Sequence, residues 1–107
     1  MPGEISSTEL SSRLKRKDPI LLLDVREPWE REIGHLPGDQ HIPMNDIPAR
    51  SGELAVPPGG ILVVYCHLGV RSLMVAGFLE KSGIPAMSLA GGIEAWSVEV
   101  DPSVARY

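Results

Sequence analysis

One run constrains the fold more than any other: Ile61-Leu62-Val63-Val64-Tyr65. It is continuous, rich in β-branched residues, and entered through Gly59-Gly60. A strand with one face in water alternates apolar and polar residues. This run does not, so both of its faces must be covered. A second run, Ile20-Leu21-Leu22-Leu23, has the same character. Such strands belong to parallel sheets, and parallel neighbours need helical crossovers between them.

The remaining segments supply those crossovers. Ser6 and Glu9 have the S-x-x-E spacing of a capping box, and Leu10 and Leu14 follow at i, i+4. The spacing predicts an amphipathic helix over residues 7–17. Arg13, Lys15, Arg16 and Lys17 near its end complement the helix dipole and read as a solvated helix end. Pro19 stops this helix. Pro28 suits the first turn of a short helix over 27–33, closed by Gly34. Residues 40–42 read as a short strand. Residues 47–50 read as a helical turn capped by Asn45 or Asp46. A helix is predicted over 72–81, ended by Gly83 and Pro85. A strand follows over 86–89, then a last helix over 93–98 after Gly91-Gly92. Residues 102–107 are expected to form an extended tail.

Composition bounds the function. At 107 residues, a single domain over 1–107 is expected. The hydrophobic fraction of 43% and charged fraction of 22% exclude the composition of a disordered chain. A formal net charge of -4 argues against a nucleic-acid surface. The lone cysteine, Cys66, excludes an intrachain disulfide and points to a reducing compartment. Met1-Pro2-Gly3-Glu4 lacks the basic and apolar regions of a signal peptide. No apolar run approaches the length of a membrane span. The expectation is a cytoplasmic protein that binds neither nucleic acid nor membrane.

The chemistry concentrates in Cys66-His67-Leu68-Gly69-Val70-Arg71-Ser72. A buried strand ends at Cys66 and a helix begins near Arg71 or Ser72. In open α/β sheets, ligands bind at the carboxyl ends of the strands. Gly69 permits an unusual backbone angle, so the loop can turn its N–H groups inward as an anion nest. The helix start points its positive end at the same spot. The thiolate is the nucleophilic form of cysteine, and such a cradle stabilises it. An exposed helix dipole supplies only about 0.3–1 kcal/mol. Each hydrogen bond to a charged group is worth roughly 1.5–3 kcal/mol. Two or three loop N–H groups therefore dominate the activation, with Arg71 adding to it.

The loop C-H-L-G-V-R-S resembles the active-site loop of rhodanese-family sulfurtransferases. Asp24-Val25-Arg26-Glu27 is similar to the family's D-V-R-E after its first strand. Gly34-His35-Leu36-Pro37-Gly38 with His41-Ile42-Pro43 resembles its G-H-I-P-G-A-x-x-I-P segment. Gly91-Gly92-Ile93 with Trp96 resembles its G-G-x-x-x-W. Residues 100–107 resemble tails of rhodanese domains fused to sulfur-carrier-activating adenylyltransferases. The resemblance implies an α/β, rhodanese-like fold, with a parallel sheet of about five strands and helices on both faces. It also implies a mechanism. Cys66 takes a sulfane sulfur from a donor such as thiosulfate or a persulfide and becomes a persulfide itself. A thiophilic acceptor (cyanide, a thiol or a sulfur-carrier protein) then removes the sulfur. No metal or cofactor is required. Four residues lie between Cys66 and Arg71. The cysteine phosphatases and related arsenate reductases that use a similar loop have five, so the shorter loop favours sulfur transfer. A protein-to-protein sulfur relay and a non-catalytic binding module are the alternatives.

Each neighbour has its own expected role. Arg71 frames the pocket and steadies the anion. Ser72 caps the helix, contacts the sulfur, or does both. His67 stands where many relatives carry arginine, which weakens the case for a dianionic donor; it reads as a surface-facing loop residue. Asp24 supports the loop through hydrogen bonds. Arg26 reads either as a structural ion pair or as a donor-binding residue. His35 and His41 satisfy buried backbone groups. Asp39 replaces the family's alanine, so its turn is expected to be more exposed or differently shaped. Gly91 and Gly92 allow close backbone approach to the loop, and Trp96 belongs to the core.

Overall fold

A computed structural model describes residues 3–107. Met1 and Pro2, which open the segment read above as lacking a signal peptide, lie outside the described residues. The chain runs β1 (Gly3–Ile5), α1 (Ser7–Lys15), β2 (Ile20–Asp24), α2 (Pro28–Ile33), β3 (Gln40–His41), α3 (Ile47–Arg50), β4 (Ile61–Tyr65), α4 (Val70–Lys81), β5 (Met87–Leu89) and α5 (Gly92–Glu99). Short 3-10 turns flank α3 at Met44–Asp46 and Ser51–Glu53. The strands form one parallel sheet in the order β1-β5-β4-β2-β3. The two continuous apolar runs, β4 and β2, are neighbours along their whole length, from Ile20 opposite Ile61 to Asp24 opposite Tyr65. β4 is the central strand, so Cys66 leaves the sheet at its middle.

Both faces of the sheet are covered, as the unbroken runs require. Alternate residues serve two separate cores. Leu23, Leu62, Val64 and Cys66 pack with Ile47 of α3 and Val75, Ala76 and Leu79 of α4. Leu22, Val63 and Tyr65 pack on the other side with Leu10 of α1 and Ile93 and Trp96 of α5. Each fully buried aliphatic side chain contributes roughly 1.5–3 kcal/mol, so β4 and the start of the Cys66 loop are firmly anchored. Among the described residues no helix is long and apolar enough to cross a membrane.

Three local expectations need correction, at α4, the tail and the α1 cap, and β1 is an element that the sequence does not signal. The N-terminal edge strand β1 carries no periodic signal in its three residues and pairs only with β5. α4 begins at Val70, two residues ahead of the predicted start, because Gly69 at φ 104° takes the N-cap position. Ser72 is therefore inside the first turn and caps nothing. The tail is not extended: it turns at Pro102-Ser103 and folds back, with Val104 and Tyr107 packed against the α1/α5 core. At α1 half of the capping box forms. Ser6 Oγ accepts from the Glu9 N–H at 3.1 Å, but the Glu9 carboxylate turns outward to Arg13.

Candidate active site

Cys66 is buried at the carboxyl end of β4. Its Sγ accepts hydrogen bonds from the backbone N–H of Gly69 at 3.1 Å and of Ser72 at 3.3 Å. The Gly69 N–H is swung inward by the left-handed turn at that residue. The Ser72 N–H belongs to the first helical turn, whose N–H groups have no partner within the helix. The Ser72 hydroxyl lies 3.4 Å from Sγ and 2.7 Å from the hydroxyl of Ser88. Ser72 and Ser88 are both fully buried. In the thiol form the S–H donates to Ser72. In the thiolate form both hydroxyls can turn over, so that Ser88 donates to Ser72 and Ser72 donates to sulfur.

The loop is held from behind by backbone alone. The Ile93 N–H donates to the Cys66 carbonyl at 2.9 Å, and the Glu94 N–H to the His67 carbonyl at 3.1 Å. Gly92 makes this approach possible. A Cβ there would lie 2.3 Å from the His67 oxygen and 2.6 Å from the Cys66 oxygen, at a φ of +62°. The expected role of the Gly91-Gly92 turn is the observed one, and Trp96 is in the core.

The charged candidates behave differently. Arg71 does not reach the sulfur. Its guanidinium clamps the Glu30 carboxylate of α2 through two bonds of 2.8 and 2.9 Å. It frames the pocket edge as an ion pair, with no hydrogen bond to the sulfur. Arg26 is fully buried and paired with Asp24 through both carboxylate oxygens, at 2.9 and 3.0 Å. Of its two readings, the structural pair is the observed one. Asp24 accepts further from the Arg26 N–H and from Arg31. It organises arginines rather than the Cys66 loop, contrary to expectation. His41 Nε2 lies 2.7 Å from the Arg26 carbonyl, as its predicted role requires. His35 is half exposed, beside Asp39 and the Leu36 carbonyl.

Asp39 reverses its expectation. Its carboxylate is buried, takes two bonds from Arg31, and accepts the Tyr65 hydroxyl at 2.5 Å. Burial, with Asp24 and Asp39 nearby, pushes the Tyr65 phenol up out of any physiological range.

Tyr107 completes the edge. Its hydroxyl donates to Glu30 Oε2 at 2.6 Å and accepts from Arg26 Nη1 at 3.0 Å. Its ring stacks on His67 at 3.9 Å and 12°, and meets Trp29 edge-on at 6.0 Å. One face of the His67 ring is thus covered by Tyr107, while His67 still lines a shallow surface cleft. Hydrogen bonds from Arg71, and then Tyr107, hold the Glu30 carboxyl down to about 2 against its burial. Burial, followed by the bond to Glu30, pushes the Tyr107 phenol up to about 12. Leu68 and Val70, beside the cradle, are 58% and 69% exposed. Among the described residues no group of His, Cys, Asp and Glu is placed to hold a metal ion.

Sequence reasoning missed Ser88 and Tyr107. A serine inside the buried strand Met87-Ser88-Leu89 is a detectable anomaly, since a buried hydroxyl needs a partner. Tyr107 carried no local signal.

The comparisons agree with this geometry. The Rhodanese-like domain family matches residues 6–99. A protein named Sulfurtransferase from Allochromatium vinosum is 38% identical over 106 residues, covering 98% of this chain and 97% of its own length. The Adenylyltransferase and sulfurtransferase MOCS3 of Arabidopsis thaliana is 32% identical, and this chain spans 27% of its length. The crystal structure of a rhodanese-like domain protein from Staphylococcus aureus superposes with a TM-score of 0.82 at 31% identity, covering 98% of each chain. With the fold, the loop and these matches in agreement over nearly its whole length, the chain belongs to the rhodanese-like domain family.

Proposed function

We propose that this protein is a sulfurtransferase that carries a sulfane sulfur as a persulfide on Cys66. The observation that carries the reading is the cradle around Sγ: two backbone N–H donors, a hydroxyl, and no carboxylate. In the first step the Cys66 thiolate attacks the outer sulfur of a small donor such as thiosulfate or a persulfide. The donor's S–S bond breaks, and its electron pair leaves with sulfite or the donor thiolate. In the second step an acceptor attacks the outer sulfur of the persulfide and returns the Cys66 thiolate. Cyanide leaves as thiocyanate.

Both reacting forms, thiolate and persulfide anion, are anionic sulfur, so one set of donors serves throughout. Gly69 N–H, Ser72 N–H and the Ser72 hydroxyl hold the inner sulfur. The N–H groups of Val70 and Arg71, also in the first turn of α4, lie where the helix itself does not use them and serve the outer sulfur. Ser88 lets the Ser72 hydroxyl change direction as the sulfur ionises. Donors fixed before the reaction need no reorganisation during it. Neither a metal nor an organic cofactor enters either step. The relay alternative has one observation behind it, the similarity to MOCS3, and is tested by sulfur exchange with a thiocarboxylated carrier protein.

The test is kinetic. A covalent intermediate requires parallel-line initial-rate patterns when donor and cyanide are varied. Intersecting patterns would contradict the two-step scheme. Hydrolysis of an aryl phosphate that depends on Cys66 would replace it with phosphatase chemistry.

A further inference from the structure

Four arginines stand around the edge that carries the Cys66 loop, and each is ion-paired. Arg26 is paired with Asp24, Arg31 with Asp24 and Asp39, Arg71 with Glu30, and Arg106 with Glu94. Four arginines meet four carboxylates, so the edge is locally neutral. What faces outward beside the loop is an apolar side chain, Leu68, next to the surface ion pair of Arg106 and Glu94. A shallow cleft is lined by His67, Leu68, Glu94, Arg106 and Tyr107. Its floor is the His67–Tyr107 stack, and the Leu68 side chain stands 58% exposed beside it.

A sulfur donor has two ends. The outer sulfur enters the cradle, and the rest must lie at this mouth. The rest of thiosulfate is a charged, strongly hydrated sulfonate. Desolvating it requires unpaired cations, which the mouth does not offer. A carbon-borne donor presents an apolar body instead, and that body fits the aromatic floor and Leu68.

We propose that the preferred donor is an organic sulfane monoanion with an apolar body, a thiosulfonate or carbon-borne persulfide, rather than the inorganic dianion thiosulfate. This rests on the sulfur-transfer reading above. The step balances as before. The Cys66 thiolate forms a bond to the donor's outer sulfur, the donor S–S bond breaks, and the electron pair leaves on an organic sulfinate or thiolate.

The probes are benzenethiosulfonate and thiosulfate, with cyanide as acceptor and each rate normalised to the donor's reaction with a free thiol. The normalised kcat/KM favours benzenethiosulfonate by about tenfold or more. The thiosulfate value changes little with ionic strength, because no free cation attracts the dianion. Leu68→Ala narrows the ratio by lowering the aryl value. Glu30→Gln frees Arg71 and narrows it by raising the thiosulfate value. The proposal is overturned if thiosulfate is preferred after normalisation, or if its kcat/KM falls steeply with added salt. It is equally overturned if Leu68→Ala leaves the ratio unchanged, a readout that stands even if the Glu30 variant folds poorly. Failure of both donors to deliver a cyanide-cleavable sulfur would instead remove the sulfur-transfer reading itself.

Discussion

The Cys66 loop and the charged cluster at the ends of β2 and α2 lie side by side on one edge of the sheet. They use polar groups in opposite ways. The loop meets the Cys66 sulfur with backbone N–H groups and one hydroxyl, and brings no charged side chain into hydrogen-bond contact with it. The cluster contains Asp24, Arg26, Glu30, Arg31, Asp39 and Arg71, and its members satisfy one another. Breaking such a buried pair is costly because it strands a charge. The lesson is a division of labour: backbone groups surround the sulfur, and charged side chains hold the wall beside it.

Substitutions on the two sides should separate activity from stability, and the largest effect falls on the loop. Cys66→Ser should lower sulfur transfer to cyanide by at least about a thousandfold while circular dichroism and urea unfolding stay near the parent's. Arg26→Met should do the reverse. It deprives the fully buried Asp24 carboxylate of its guanidinium partner, leaving only Arg31 and the backbone N–H of residue 26, at a cost of about 3–5 kcal/mol read by urea unfolding. Transfer per folded molecule should change far less than in the cysteine variant.

Gly92→Ala should cross the boundary, because that glycine packs against the loop carbonyls. The added Cβ must push His67 and Cys66 away, so kcat/KM should fall by about tenfold or more, along with a stability loss of roughly 1–3 kcal/mol. Gly52→Ala meets nothing within 4 Å and should change neither by more than about 0.5 kcal/mol.

Glu30 gives the cluster a pH signature. Its folded-state value of about 2 lies below the ordinary 4.5, so the unfolded chain binds the proton first. Stability therefore rises with pH across this window. The contribution is complete above about 4.5 and is lost as the pH falls through about 2. Chemical denaturation at stepped pH should show that slope, and Glu30→Gln should flatten it. A smaller effect is expected for Tyr107→Phe. It keeps the stack on His67 but removes two hydrogen bonds, costing about 1 kcal/mol with little change in transfer.

Much of this was legible in the sequence wherever the cause was local. β2 and β4 announce themselves because continuous apolar runs have only one use in a small α/β protein. Gly69 and Gly92 are readable as places where the backbone must bend or approach closely. Pairing between distant side chains was not legible. Arg71 lies 41 residues from Glu30, and Tyr107 lies 77. Nothing in a linear pattern selects which carboxylate an arginine will meet. Asp39 misled for a related reason: its partners Arg31 and Tyr65 come from different elements, and together they hold a carboxylate where an open turn was expected. β1 escaped notice because three edge residues carry no period. The early start of α4 follows from Gly69, whose left-handed turn was anticipated but whose place as the N-cap was not.

The most direct measurement is the intact mass of the protein after incubation with benzenethiosulfonate or thiosulfate, before and after cyanide. The expected result is one added sulfur located on Cys66, removed by cyanide and absent from Cys66→Ser. Finding no added sulfur with either donor, or finding it on the serine variant, would contradict a persulfide held in the Cys66 cradle.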